Sequence, residues 1–138
     1  MRNYLLLLLT LLILPLAVLT GEIAPLEYRS MQLNAPEQLQ LSVAHVSKRW
    51  RPFSGGTAIT VKAEVIGVVS SETNLVEGDS ITISYVHQKL KKGWAGPRPI
   101  PILDKKSETT AFLVYDEDAG LYVPAARGAS FEPLITMY

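Results

Sequence analysis

Two histidines, His45 and His87, are the only imidazoles in the chain, and there is no cysteine. Thiol nucleophiles, thiolate metal sites and disulfides are therefore excluded. A metal or acid–base site would need His45 and His87 to meet each other and a carboxylate such as Asp116 or Asp118, and nothing in the spacing fixes that meeting. Asp116, Glu117 and Asp118 offer oxygens to calcium but lack the further oxygen ligands of a calcium loop, so a solvated turn is expected. No phosphate loop occurs, and Gly128-Ala129-Ser130-Phe131 lacks the second glycine of a nucleophile elbow. The residues point to a protein without catalytic machinery, cofactor or metal; the alternative is a metal-dependent enzyme that uses His45 or His87.

What remains is aromatic and cationic. Lys48, Arg49 and Arg51 bracket Trp50, and Lys89, Lys91, Lys92 and Arg98 surround Trp94, so seven of the thirteen basic residues fall in two short segments. An indole face stacks on a sugar ring or base while neighbouring cations hold phosphate, sulfate or carboxylate groups. The candidate ligand-binding set is Arg49, Trp50, Arg51, Lys89, Lys91, Lys92, Trp94 and Arg98. The competing reading makes the indoles covers over the ends of a barrel and the lysines solubilising groups. Gly93-Trp94-Ala95-Gly96-Pro97, followed by Pro99 and Pro101, has little conformational freedom to lose, which suits either a preformed recognition surface or a structural cap.

The elements that must position these residues belong to one domain, since the chain has 138 residues. A hydrophobic content of 48% is too high for disorder, and thirteen basic against thirteen acidic residues argue against a nucleic-acid-coating protein. Met1 to Tyr4 form a short positive region, and Leu5 to Leu19 form an apolar run broken only by Thr10 and Pro15. This is the layout of a secretory signal peptide over residues 1–21, cleaved near Thr20/Gly21. The alternative is an uncleaved N-terminal helical anchor; a lipoprotein lacks its cysteine. The expected location is secreted or periplasmic. Cleavage removes Arg2 and leaves twelve basic against thirteen acidic residues, a net charge of minus one.

Residues 22–37 contain two prolines and read as an irregular lead-in, with residues 38–138 as a single β domain. Leu39, Leu41 and Val43 alternate with polar residues as in a half-buried strand, although Leu39, Val43 and Val46 would also share a helical face. Strand is the preferred reading. Ile59, Val61, Ala63 and Val65 line one face of the clearest strand, and the phase then changes at Ile66, Gly67 and Val68, as at a β-bulge. Glu77-Gly78-Asp79 turns the chain into Ile81, Ile83 and Tyr85, which alternate in an antiparallel partner strand. Lys89 to Pro101 is loop, because its prolines and glycines suit neither helix nor central strand. Ala111–Tyr115 and Leu121–Val123 flank a hairpin loop in which Gly120 takes a positive φ. The C-terminal apolar residues are expected to pack onto the barrel.

Short strands, a bulged long strand and glycine- or proline-rich turns indicate an all-β fold: a small antiparallel β-barrel or a sandwich. The strand Thr60 to Val69, the turn Glu77-Gly78-Asp79 leading into Ile81 to Tyr85, and the strand at Ala111-Phe112-Leu113 resemble an oligonucleotide/oligosaccharide-binding (OB) barrel. Among such barrels the pattern is most similar to the netrin-like modules of the tissue inhibitors of metalloproteinases. The resemblance spans roughly Leu39 to Phe131 and implies a fold and a binding role. It does not imply metalloproteinase inhibition, because those inhibitors use an N-terminal cysteine and disulfides. The partner expected on this reading is an unidentified protein or an anionic polymer of the cell envelope, with no nucleic acid, and contact with a membrane only through an uncleaved signal segment.

Overall fold

A computed structural model describes residues 23–94 and 96–138; the signal-peptide reading of residues 1–21 lies outside them. Five strands run β1 Glu37–Trp50, β2 Gly56–Ser71, β3 Ser80–Gln88, β4 Glu108–Asp116 and β5 Leu121–Pro124. They close in the order β1-β2-β3-β5-β4. All neighbours are antiparallel except β3 and β5, which meet in parallel at Ile83 and Tyr122. The architecture is an OB-like closed barrel rather than a sandwich. Leu39 to Val46 is strand, as its two-residue period indicates.

Closure depends on β1 serving two partners. Residues 37–42 pair with residues 64–71 of β2 on one side and with residues 108–113 of β4 on the other. Closing only five strands on themselves requires them to coil strongly, and bulges supply the coiling. The register against β1 skips Val69 and Ile66 on β2, either side of Gly67, and skips Ala44 on β1. The bulges fall where the sequence changes phase. They hold Val65 in the core and leave Ile66, Val68 and Val69 outside it.

Alternation fills the interior. Leu39, Leu41 and Val43 meet Ile59, Val61 and Val65, and Ile81, Ile83, Ala111 and Leu113 complete a core in which every one of these side chains is at most 5% exposed. Phe131 closes the core from the C-terminal segment, with its ring centroid 5.6 Å from that of Tyr85. The terminal Met137 and Tyr138, by contrast, are exposed.

The lead-in is not irregular. Pro25–Leu33 forms a helix, α1, with proline in its first turn. Proline is tolerated there because the amide it lacks would have no intrahelical acceptor, and Pro36 lies beyond the helix end. The two prolines therefore bracket a helix instead of breaking one. Its packing face comes from Tyr28 and Gln32, one turn apart, which are buried with Ala126, Ala129 and the outward-facing Phe112 of β4. Gln32 Nε2 donates to the Ala129 and Pro133 carbonyls at 2.9 and 3.2 Å, and its Oε1 accepts from the Ile135 amide at 2.9 Å. Gln32 thus ties the helix to the C-terminal segment at three points, and Arg29 adds a bond to the Ile135 carbonyl. No helix among the described residues is long and apolar enough to cross a membrane.

Candidate binding site

Gln88 of β3 pairs with Gly56, the first residue of β2, and Trp50, the last of β1, pairs with Thr57. The β1–β2 loop, residues 51–55, and the segment after β3 therefore leave the barrel at the same end. The β2–β3 loop and the β4–β5 hairpin lie at the other end. This pairing sorts the charges. Lys48, Arg49, Arg51, Lys89, Lys91, Lys92 and Arg98 fall at the first end, and residues 38–63 and 80–103 contain no carboxylate. Glu72, Glu77, Asp79, Asp116, Glu117 and Asp118 fall at the second, and neither residues 63–88 nor 107–126 contain a lysine or arginine. A chain without formal net charge is thus strongly polar along its barrel axis.

At the cationic end an open groove of about 480 Å³ lies between the outer face of β3 and the loop that follows it. Val86, Leu90, Trp94 and Ile100 supply apolar surface, and Lys89, Lys91 and Arg127 supply charge. Of the candidate residues, Lys89, Lys91, Trp94 and Arg98 line this groove. Lys92 is exposed on the same loop but does not line it, and Arg49, Trp50 and Arg51 sit on the neighbouring hairpin. Arg127 is the residue that sequence reasoning missed. It is 29 positions beyond Arg98, in a 3-10 turn at Arg127–Ala129, and has a φ of 48°. No local pattern in the sequence links it to Trp94.

The proline arm of the loop is fixed by side chains from three elements. The Tyr28 hydroxyl accepts from the Arg98 amide at 3.0 Å, His87 Nδ1–H donates to the Ile100 carbonyl at 2.7 Å, and the Tyr85 hydroxyl donates to the Pro101 carbonyl at 2.7 Å. Burial pushes the Tyr85 phenol up to about 12, partly offset by a backbone hydrogen bond at Leu103. Gly128 permits the arm to pass, because a Cβ there would stand 2.7 Å from both Cβ and the carbonyl oxygen of Arg98. The free half of the loop carries Trp94, whose Nε1 donates to the Pro97 carbonyl at 3.1 Å while the side chain remains 56% exposed. The loop is both cap and exposed surface: its proline arm covers the β3 edge and its Lys89–Trp94 half faces outward.

Arg98 has a different role from the lysines. Its guanidinium makes a bidentate pair with Glu132, at 2.9 and 3.1 Å, and lies 4.7 Å over the Tyr28 ring. The Glu132 hydrogen bond raises its pKa above the already high ordinary value. Its charge is largely spent within the protein, whereas Lys89, Lys91 and Lys92 make no ion pair among the described residues.

The histidines do not meet the hairpin acids. His45 projects from the outer face of β1 opposite Lys62, and His87 is engaged with Ile100 at the cationic end, whereas Asp116 and Asp118 belong to the acidic end. Asp116 Oδ1 instead accepts the amides of Asp118 and Ala119 at 3.1 Å, organising the hairpin turn, with Gly120 at a φ of 68°. No group of three His, Asp or Glu side chains among the described residues is placed to hold a metal.

A second polar cluster lies inside the acidic end. Glu37 is fully buried; its Oε1 accepts the Thr73 amide and hydroxyl, both at 3.0 Å, and its Oε2 has no partner. With its hydrogen given to Glu37, the Thr73 hydroxyl accepts from Tyr122 at 2.7 Å. This chain of bonds fastens the β2–β3 loop to the start of β1. No family model, curated protein or solved structure matches the chain.

Proposed function

We propose that the protein is an exported, non-enzymatic binding module that takes an anionic partner in the cell envelope at the cationic end of its barrel. The observation that carries this reading is the groove around Trp94. It combines an apolar floor with unpaired cations, and its lining has no carboxylate, hydroxyl or imidazole to move a proton. Such a surface binds by charge and stacking. The expected export rests on the reading of residues 1–21.

The two tryptophans of the chain, Trp50 and Trp94, both sit at this end, so indole fluorescence reports on it directly. Titration with a sulfated polysaccharide and with polyglutamate should change the emission at low salt, and the effect should weaken as salt shortens the reach of the lysines. Reversing Lys89, Lys91 and Lys92 to glutamate should abolish the response. Binding of neither polyanion, or binding that survives both salt and charge reversal, contradicts the proposal.

A further inference from the structure

The β1–β2 loop carries an aromatic residue that packing does not explain. Phe53 is fully exposed and has a φ of 73°. A left-handed backbone at a bulky L-residue is unfavourable, and glycine or asparagine would fit it better. The loop is closed beneath Phe53: the Arg51 amide donates to the Gly56 carbonyl at 3.2 Å, and the Ser54 hydroxyl donates to the Arg51 carbonyl at 3.3 Å. Trp50, at the base of the loop, is 74% exposed. A strained, solvent-facing Phe at a closed tip indicates a contact outside this molecule.

The surroundings define the chemistry of that contact. Lys48, Arg49 and Arg51 are exposed where β1 runs into the Phe53 loop, and the adjoining loop repeats the combination with exposed Leu90 and Trp94 among Lys89, Lys91 and Lys92. Phenylalanine and leucine have no polar atoms to offer a hydrated polymer, whereas a bilayer interface offers anionic headgroups above an apolar phase. Trp is suited to the boundary between them. The chain also enters the described domain near this end: Ile23 and Tyr28 line one cleft with Arg98.

Resting on the binding reading above, we infer that this end docks on an anionic lipid surface, with Phe53 and Trp50 inserted at the interface and the two sets of cations on the headgroups. The test uses phosphatidylglycerol and phosphatidylcholine vesicles containing brominated acyl chains, with indole emission as the readout. Because both indoles lie at the cationic end, quenching reports on this surface and not on the apolar run at residues 5–19.

The expected result is quenching by phosphatidylglycerol and not by phosphatidylcholine. Phe53→Asn, which suits the backbone and removes no packing, should weaken partitioning about tenfold. Neutralising any one of Arg49, Arg51 or Lys91 should weaken it about fivefold. Unchanged emission with phosphatidylglycerol, while polyglutamate or sulfated polysaccharide still binds, overturns the inference and leaves the binding reading standing. Equal partitioning of Phe53→Asn and the parent protein also overturns it. Silence toward vesicles and polyanions alike overturns both.

Discussion

Gln32→Met tests how much of the link between the helix and the C-terminal segment the Gln32 amide carries. Methionine has nearly the length and volume of glutamine, so the substitution removes the amide's hydrogen bonds while leaving the site filled. Gln32 is 0% exposed, and its loss strips the fully buried Ala129 carbonyl and the part-buried Pro133 carbonyl and Ile135 amide of a partner. An orphaned buried group costs about 1–3 kcal/mol, and each part-buried one about 0.5–1.5 kcal/mol. Burial of the thioether and methyl returns roughly 1 kcal/mol. The net expectation is destabilisation by about 1–5 kcal/mol, centred near 3 kcal/mol, which is roughly 12 °C in Tm for a domain of this size. Denaturant unfolding of both proteins measures the difference, and amide exchange at Ile135 shows whether the segment has been released. Arg29, which also donates to the Ile135 carbonyl, is left in place. A change below about 0.5 kcal/mol, or an Ile135 amide that keeps its protection, refutes the account. Gln32→Glu should be worse than Gln32→Met, because it points a carboxylate at two carbonyls.

Four further outcomes follow from the same structure. Gly128→Ala should destabilise by about 1–3 kcal/mol, since its Cβ meets the Arg98 backbone at 2.7 Å, and the Trp94 emission should shift as the proline arm is displaced; calorimetry and fluorescence read the two effects. Phe53→Asn should stabilise the fold by about 0.5–1 kcal/mol by relieving the left-handed strain, as measured by denaturant midpoint. The Tyr85 phenol, raised from 10.0 to about 12, keeps its proton in the folded state at pH values where the unfolded chain has lost it. Its contribution is complete below about pH 10 and is lost progressively as pH rises to about 12, so stability should fall across that window; a Tyr85→Phe variant should show a shallower fall. Arg98→Met should reduce polyanion affinity and its salt dependence less than Lys89→Ser with Lys91→Ser does, because Glu132 already compensates the Arg98 charge.

The strands were legible because their signal is local. Ile59, Val61, Ala63 and Val65 expose a two-residue period that needs no knowledge of the rest of the chain, and the phase break at Gly67 announces a bulge for the same reason. The hairpin glycine and the proline loop were legible by backbone sterics alone. α1 was hidden because its prolines read as breakers until their positions relative to the helix ends are known. Its buried face, Tyr28 and Gln32, is only two residues wide and depends on Phe112, Ala126 and Ala129, some 80 to 100 positions away. Trp94 and its lysines were visible as a basic aromatic segment, whereas the pairing of Arg98 with Glu132 and the placing of Arg127 on the groove were not.

The sequence by itself determined the strand content, the bulge, the loop chemistry and the absence of thiols, since each follows from side-chain type and near-neighbour spacing. The tertiary structure decided which loops share an end. A balanced list of thirteen cations and thirteen anions carries no direction until β1 pairs with β2 and β2 with β3. Antiparallel pairing then brings residues 48–51 beside 89–92 and sends the loops at 72–79 and 116–118 to the opposite end. The field that an anionic partner would meet is a sum over position as well as charge, and position is set by hydrogen-bond register between distant segments.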